Sequence, residues 1–195
     1  TNSGATLASG KVNGSYSFDG SDNNIFIEDT IGLNSTEVTA SIWIKSIGDT
    51  TNRRFLTFGS TLQSRYVMGI QSGEIRTYDD ILNEGQTDIV YSSFENNRWY
   101  YYVTVFNSNG SKYIYLDGEW IYTDENGGSL KNLSATKTWI GSQIDDNYWN
   151  GSIDEVLIYN RSLTAAEIKQ IYDGSKAGGH TMNSSQTSIG DNWTL

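Results

Sequence analysis

The chain has 195 residues, a net charge of −10 and a pI of about 4.4, and its 13 lysines and arginines are scattered along the sequence. This acidic balance argues against a nucleic-acid partner and against an anionic membrane surface. The absence of cysteine excludes disulfides and a thiol nucleophile. No apolar run approaches the roughly 18 residues that a membrane span needs, so direct membrane insertion is not expected.

Short runs of alternating apolar and polar residues dominate the chain and predict strands. In chain order these runs cover residues 15–18, 25–27, 38–44, 55–58, 66–70, 99–106, 112–116 and 155–159. Turn dipeptides separate them, at Asp19-Gly20, Asn109-Gly110 and Asp117-Gly118, and a longer turn is expected at Asn126-Gly127-Gly128. Many short strands with regular turns indicate an all-β fold, a two-sheet antiparallel sandwich.

The alternation also assigns side chains to faces, with the aliphatic set of each strand predicted to face the core between the sheets. In 99–106 this assignment sends Val103 and Val105 inward, and in 112–116 it sends Ile114 and Leu116 inward. The opposite faces are rich in rings, which stack on sugars, so they are predicted to bind a ligand. The alternative is that these rings pack beneath loops or reflect β propensity. The candidates are Trp43, Tyr100, Tyr102, Tyr113 and Tyr115.

One helix is predicted, over residues 164–172. Thr164 is placed as the N-cap and Glu167, three residues on, completes a capping box, while Leu163 and Ile168 form a hydrophobic staple. Gly174 is a natural stop. A helix of about two turns is not stable alone, so it is expected to dock on the sandwich and close the domain.

Four segments in order resemble the laminin G-like, concanavalin A-like jelly-roll lectin family, in its microbial surface-protein branch. They are YSFDGSDNNIFI, ASIWIK, the pair RWYYYVTVF and YIYLDGEWI, and the closing NGSIDEVLIYNRSLTAAEI. The resemblance spans roughly Ser15 to Tyr172. It departs from the family at Tyr100 and Tyr101, where histidine is usual, and at Leu157, where arginine is frequent, so no ligand preference is carried over.

The resemblance implies a jelly-roll sandwich with a structural Ca²⁺ where the opening loop meets the closing strand. Asp19, Asp22 and Asp154 would supply carboxylates to that ion, since Ca²⁺ takes six to eight oxygen ligands. The alternative is that Asp19 forms a turn and Asp154 accepts loop hydrogen bonds. The acidic loop with Asp145, Asp146 and Asn147 falls on a rim where this family often binds ligands.

The domain boundary is placed near Gly174, with a jelly-roll domain over 1–177. Residues 178–195 are interpreted as a linker and the first strands of a following β-sandwich domain, or as a C-terminal arm of the same domain.

The sequence gives little support for catalysis. The carboxylate run E-x-D-x-x-E of some concanavalin A-like glucanases is absent. The acidic pairs that do occur, such as Glu28-Asp29 and Asp154-Glu155, are adjacent, so on a strand their side chains point to opposite faces.

Eight N-x-[ST] sequons indicate an exported and glycosylated chain, although an Asn- and Ser-rich composition also produces sequons by chance. They begin at Asn13, Asn34, Asn109, Asn132, Asn150, Asn160, Asn183 and Asn192.

Together these features predict a non-catalytic, lectin-like recognition or adhesion module of a larger cell-surface or secreted protein. Its expected partner is a glycan or a surface protein, alongside further domains of the same parent chain. Two alternatives from other classes stay open: a structural spacer or assembly subunit of a surface layer or filament with no small ligand, and a glycoside-active enzyme.

Overall fold

The computed structural model describes residues 1–28, 36–48, 51–61, 64–81, 86–91, 94–125, 137–144 and 146–176. These residues form two antiparallel sheets of seven strands, followed by a helix, α1, at Ala165–Lys176. Sheet A contains, in spatial order, β1 (Asn2–Ser3), β4 (Asn24–Glu28), β13 (Lys137–Ile140), β6 (Asn52–Thr61), β7 (Ser64–Gln71), β8 (Glu74–Ile81) and β9 (Gln86–Tyr91). Sheet B contains β12 (Glu119–Asp124), β11 (Lys112–Leu116), β10 (Tyr100–Phe106), β5 (Val38–Ser46), β14 (Asn150–Tyr159), β3 (Gly14–Asp19) and β2 (Thr6–Ser9).

The strand order confirms the predicted jelly-roll sandwich, because each sheet also pairs strands from distant parts of the chain, such as β4 with β13 and β3 with β14. In sheet B, β5 lies between β10 and β14, and β14 pairs in turn with β3. The opening and closing segments of the domain are therefore hydrogen-bonded neighbours. Among the described residues, no helix is both long and apolar enough to cross a bilayer.

The predicted turn at Asp117-Gly118 closes the β11–β12 hairpin. Asp117 has φ +53° and Gly118 φ +81°, and two positive φ values are what a type I′ turn requires. The turn predicted at Asn126-Gly127-Gly128 and the proposed second unit at 178–195 lie outside the described residues.

The predicted core face of β5 is confirmed. Val38, Ala40, Ile42 and Ile44 are fully buried in the cluster between the sheets. Ile114 and Leu116 of β11 join the same cluster, as predicted.

The predicted faces of β10 are wrong. Tyr100, Tyr102 and Phe106 lie in the core between the sheets, whereas Val103 and Val105 lie on the outer face of sheet B. Two tyrosines are tolerated in the core because their hydroxyls are bonded. The Tyr102 hydroxyl contacts that of Thr77, and the Tyr100 hydroxyl accepts the Glu95 amide at 2.9 Å.

The outer face of sheet B carries a second buried cluster, and α1 covers it. Ile168 and Ile171 of the helix pack with the strand side chains of this face. The strand residues are Trp43, Tyr101, Val103, Val105, Tyr115, Leu157 and Tyr159. Since both faces of β10 are apolar, alternation alone does not identify which of them meets sheet A.

The predicted helix start is confirmed by its capping box. The Glu167 carboxylate accepts the Thr164 amide at 2.7 Å, and the Thr164 hydroxyl accepts the Glu167 amide at 3.3 Å. Leu163 and Ile168, the two staple residues, are both buried in the cluster beneath the helix.

The helix runs past Gly174 to Lys176, four residues beyond its predicted end. Ser175 explains the extension. Its buried hydroxyl donates to the Ile171 carbonyl at 2.9 Å and accepts the Trp43 indole N–H at 3.0 Å. This tertiary contact holds the last turn in place and outweighs the helix-breaking tendency of Gly174.

Glu167→Gln is expected to weaken the fold in a pH-dependent way. Burial alone would raise the pKa of Glu167, but hydrogen bonds from Arg161 and Thr164 outweigh it and hold the pKa below its ordinary value of 4.5. A lowered folded-state pKa gives stability that is present above pH 4.5 and is lost as the pH falls through the folded value. The variant should therefore cost on the order of 0.5 kcal/mol at pH 7 and less at pH 3.

Urea unfolding of both proteins at pH 7 and pH 3 measures this difference. Glu95→Gln, at an exposed position, is the matched control and should leave the free energy of unfolding unchanged at both values. An equal loss for Glu167→Gln at pH 7 and pH 3 would show that its charge does not contribute.

Candidate functional site

Three of the five rings predicted to bind a ligand are inaccessible. Tyr100 and Tyr102 lie in the core between the sheets, and Trp43 lies beneath α1 with 2% of its surface exposed. The Trp43 ring stacks on Tyr172 of the helix at 5.7 Å between centroids. These three rings hold the sandwich together and have no face on which a sugar would stack.

The other two rings, Tyr113 and Tyr115, lie on the outer face of sheet B beside a third that the sequence did not single out. Trp120 of β12 pairs directly with Tyr115, and Thr123 pairs with Tyr113. Tyr115 is almost covered, Tyr113 is half-buried, and Trp120 is 60% exposed. We call the set Tyr113, Tyr115, Trp120 and Thr123 the Trp120 surface.

A β-bulge opposite Ile114 and Tyr115 creates this surface. Two residues of β12, Ile121 and Tyr122, both pack against the core where regular alternation would send only one inward. Trp120 and Thr123 consequently share the outer face although they are three residues apart.

The Trp120 ring is held in one orientation. Its indole N–H donates to the Thr123 hydroxyl at 2.9 Å. Because Tyr115 opposes Trp120 and Tyr113 opposes Thr123, this bond lays the ring along β12 beside the two tyrosines. A fixed, exposed indole bordered by polar groups is the arrangement that binds the apolar face of a sugar.

Sequence reasoning missed Trp120 because the bulge breaks the alternation of β12. The signal that was present is the position of Trp120 two residues after Gly118, in the first residues of a hairpin strand. The helix borders the surface here, since a Cβ at Gly118 would lie 2.7 Å from the Tyr172 ring.

The acidic loop predicted on the rim is bonded to itself and to sheet A. Asn147 donates its amide and its side-chain nitrogen to the two carboxylate oxygens of Asp146, at 2.7 Å and 3.0 Å. Its backbone carbonyl accepts the Arg54 amide of β6 at 2.8 Å. Asp146 is exposed and Asn147 is half-buried, while Asp145 lies outside the described residues.

The three carboxylates predicted to hold Ca²⁺ do not come together. Asp19 of β3 is the register partner of Asn150 in β14. Asp154 lies four residues further along β14, so the backbones of Asp19 and Asp154 are separated by roughly 13 Å along the strand direction. One ion bonds its ligands at about 2.3–2.6 Å, so Asp19 and Asp154 cannot share it. Across the described part of the chain, no group of three acidic or histidine side chains is spaced to hold a metal.

Asp154 stabilises a turn with its carboxylate. One oxygen accepts the amides of Lys11 and Val12, both at 2.8 Å, and the other accepts the Glu155 amide at 2.9 Å. Burial raises the pKa of Asp154 above its ordinary value, and these amides offset part of that rise. Asp19 forms a turn in a similar way, because its side chain accepts the Ser21 amide at 2.8 Å.

The opening and closing loops are joined by an arginine. Arg53 of β6 donates to the Gly20 carbonyl at 2.7 Å and to the Tyr148 carbonyl at 2.9 Å. A protein cation therefore bridges the opening loop and the segment that leads into the closing strand β14.

The described sequons differ in accessibility. Asn13 and Asn109 are exposed in turns, whereas Asn150 and Asn160 are half-buried. Asn150 lies within β14, close to Gly20 and Gly48, and the side-chain oxygen of Asn160 is buried. Asn34, Asn132, Asn183 and Asn192 lie outside the described residues.

Solved structures with this fold come from several kinds of protein. Domain 4 of AbnA, a GH43 extracellular arabinanase from Geobacillus stearothermophilus in complex with arabinotriose, has a TM-score of 0.72 and is 18% identical over 86% of this chain and 81% of that one. A heptameric SAP-like pentraxin from Limulus polyphemus has a TM-score of 0.66 and is 18% identical over 80% of each chain. The binding domain of botulinum neurotoxin serotype D has a TM-score of 0.68 and is 20% identical over 89% of this chain and 45% of that one.

At these identities the likeness shows the fold alone. No curated protein sequence matches the chain. A family model, described as the concanavalin A-like lectin/glucanases superfamily, matches residues 19–169. Since this match covers well over half of the 195 residues and the structure has the two-sheet jelly roll, the chain belongs to the concanavalin A-like lectin/glucanases superfamily.

Proposed function

We propose that this chain is a non-catalytic carbohydrate-binding module and that a glycan stacks on the Trp120 surface. The observation that carries the proposal is the exposed Trp120 indole, fixed by its hydrogen bond to Thr123. A sugar presents an apolar face of C–H groups, and the face of an exposed aromatic ring matches it. Because the ring is already ordered, binding loses little side-chain entropy.

The residues around the ring supply the polar contacts that a sugar needs. The half-buried Tyr113 offers a hydroxyl beside Thr123, its register partner on β12. Hydroxyl groups beside a stacking ring give orientation and selectivity to sugar binding.

The superfamily supports a carbohydrate ligand, and so does the arabinotriose bound to Domain 4 of the arabinanase AbnA. We place the module in a secreted or cell-surface protein with further domains. At Asp154 the carboxylate has a structural role, since both of its oxygens accept backbone amides.

Trp120→Ala is expected to lower glycan affinity at least tenfold, since removal of a stacking tryptophan at the centre of a site typically costs more than 1.4 kcal/mol. A glycan array identifies the ligand of the wild-type protein, and titration calorimetry then measures both affinities. Thr123→Val, which frees the indole and keeps the ring, should give a smaller loss.

Leu7→Ala is the matched control, because Leu7 is 79% exposed at the opposite edge of sheet B. It should bind like the wild type, and all three variants should keep the wild-type melting temperature. Absence of any array ligand would favour the structural-spacer alternative, and release of reducing sugar would favour the enzyme.

Calcium stays a separate prediction, now with Asp19 and Asp22 of the β3–β4 turn as its remaining carboxylates. An ion that binds only the folded protein stabilises it by roughly 2.7 kcal/mol at a hundredfold excess over Kd. Melting curves with calcium and then with excess chelator measure this, and Asp22→Asn should reduce the shift. Identical midpoints with calcium and with chelator would contradict the prediction.

Glycan attachment in a glycosylating host is expected at Asn13 and Asn109 in preference to Asn150 and Asn160. The first two are exposed in turns, whereas Asn150 lies in a paired strand and Asn160 has a buried side-chain oxygen. Site-resolved peptide mass spectrometry measures the occupancy of each. Higher occupancy at Asn150 than at Asn109 would contradict the expectation.

A further inference from the structure

A cavity of about 310 Å³ lies at one side of the sandwich, where β3 and β14 of sheet B face β1 and β4 of sheet A. It is remote from the Trp120 surface, because β12 and β3 are near opposite edges of sheet B. Its apolar side chains come from both sheets: Phe18, Ile25, Ile27, Ile140, Ile153 and Val156.

The cavity exists because β14 and β3 separate. Their pairing ends at Ile153 and Tyr16, although β14 continues to Tyr159. Beyond that point β14 bulges between Asp154 and Leu157, and Glu155 takes a φ of +47°. The bulge points Val156 toward the core between the sheets, on the same side as Ile153.

Asp154 keeps the gap from closing. Its carboxylate binds the amides of Lys11 and Val12, in the turn that leads into β3. This contact fixes the start of β3 against β14 at the point where their direct pairing has stopped. The walls of the cavity are therefore held by hydrogen bonds and do not depend on an occupant.

The lining selects the chemistry of the occupant. Aliphatic and aromatic side chains form most of the wall, and the lining residues include Asp154 and Glu155 but no lysine or arginine. A negatively charged ligand would lose its hydration in this apolar space without meeting a lysine or arginine among the lining residues, within a chain whose net charge is −10. An empty apolar cavity loses the contacts that its lining would otherwise make.

We propose that this cavity is a binding site for a small, uncharged apolar ligand, with the size of a bicyclic aromatic or an alkyl chain of about ten carbons. The size follows from volume, since an apolar cavity of about 150 Å³ binds one benzene ring and this one has about twice that space. The site is independent of glycan binding.

Methyl NMR of the wild-type protein with naphthalene as the probe tests the site without any substitution. Saturable shifts are expected at the methyl groups of Ile25, Ile27, Ile140 and Ile153, with none at Ile121, which lies outside the lining. The matched anion 2-naphthoate should bind at least tenfold more weakly. Equal binding of the two probes, or shifts absent from the four isoleucines, would overturn the proposal.

Two variants fill the cavity from opposite sheets. Val156→Phe and Ile27→Phe should each weaken naphthalene binding at least tenfold, because the added ring takes the ligand's space. Ile47→Phe adds the same ring at an exposed position outside the lining and should bind like the wild type. Wild-type affinity in a folded cavity-filling variant would place the probe elsewhere and overturn the proposal.

Discussion

Strand β5 is buried on both faces, and the rest of the structure depends on this constraint. Ile42 and Ile44 pack against sheet A, while Trp43 points to the opposite side. A sheet with two apolar faces requires a layer on each, and the second layer here is α1. This explains why a β-rich domain ends on a strand and a short helix: without the helix, Trp43, Tyr101 and Leu157 would lie in water.

The helix is held in register by side chains at its last turn as well as by its cap. Ser175 bonds the Trp43 indole, and the Lys176 carbonyl accepts the Lys11 ammonium at 2.7 Å. Since Lys11 also donates its amide to Asp154, the opening turn, the closing strand and the helix end are joined in one network. Protein groups thus join the first and last segments of the domain.

The fold was predictable to the extent that it follows from local chemistry. The Asp117-Gly118 turn, the Thr164 cap and the aliphatic face of β5 are each set by a few adjacent residues. The faces of β10 could not be predicted from adjacent residues. Tyr102 is as able to enter the core as Val103 once the tyrosine hydroxyl has a hydrogen-bond partner. That partner, Thr77, comes from the other sheet and is invisible to any local pattern.

The sites were less predictable than the fold because both lie at β-bulges. A bulge adds one residue to a strand, so the alternation that identifies faces fails at the position where it occurs. In β12 this failure places Trp120 and Thr123 on one face, and in β14 it separates the strand from β3 and opens the cavity. With regular pairing, Trp120 and Thr123 would lie on opposite faces of β12, so the indole could not bond the hydroxyl. In β14, regular pairing with β3 would continue past Ile153 and close the gap. The irregular positions of this sandwich therefore supply both of its proposed binding surfaces, while the regular strands between them supply the rigidity that holds those surfaces in place.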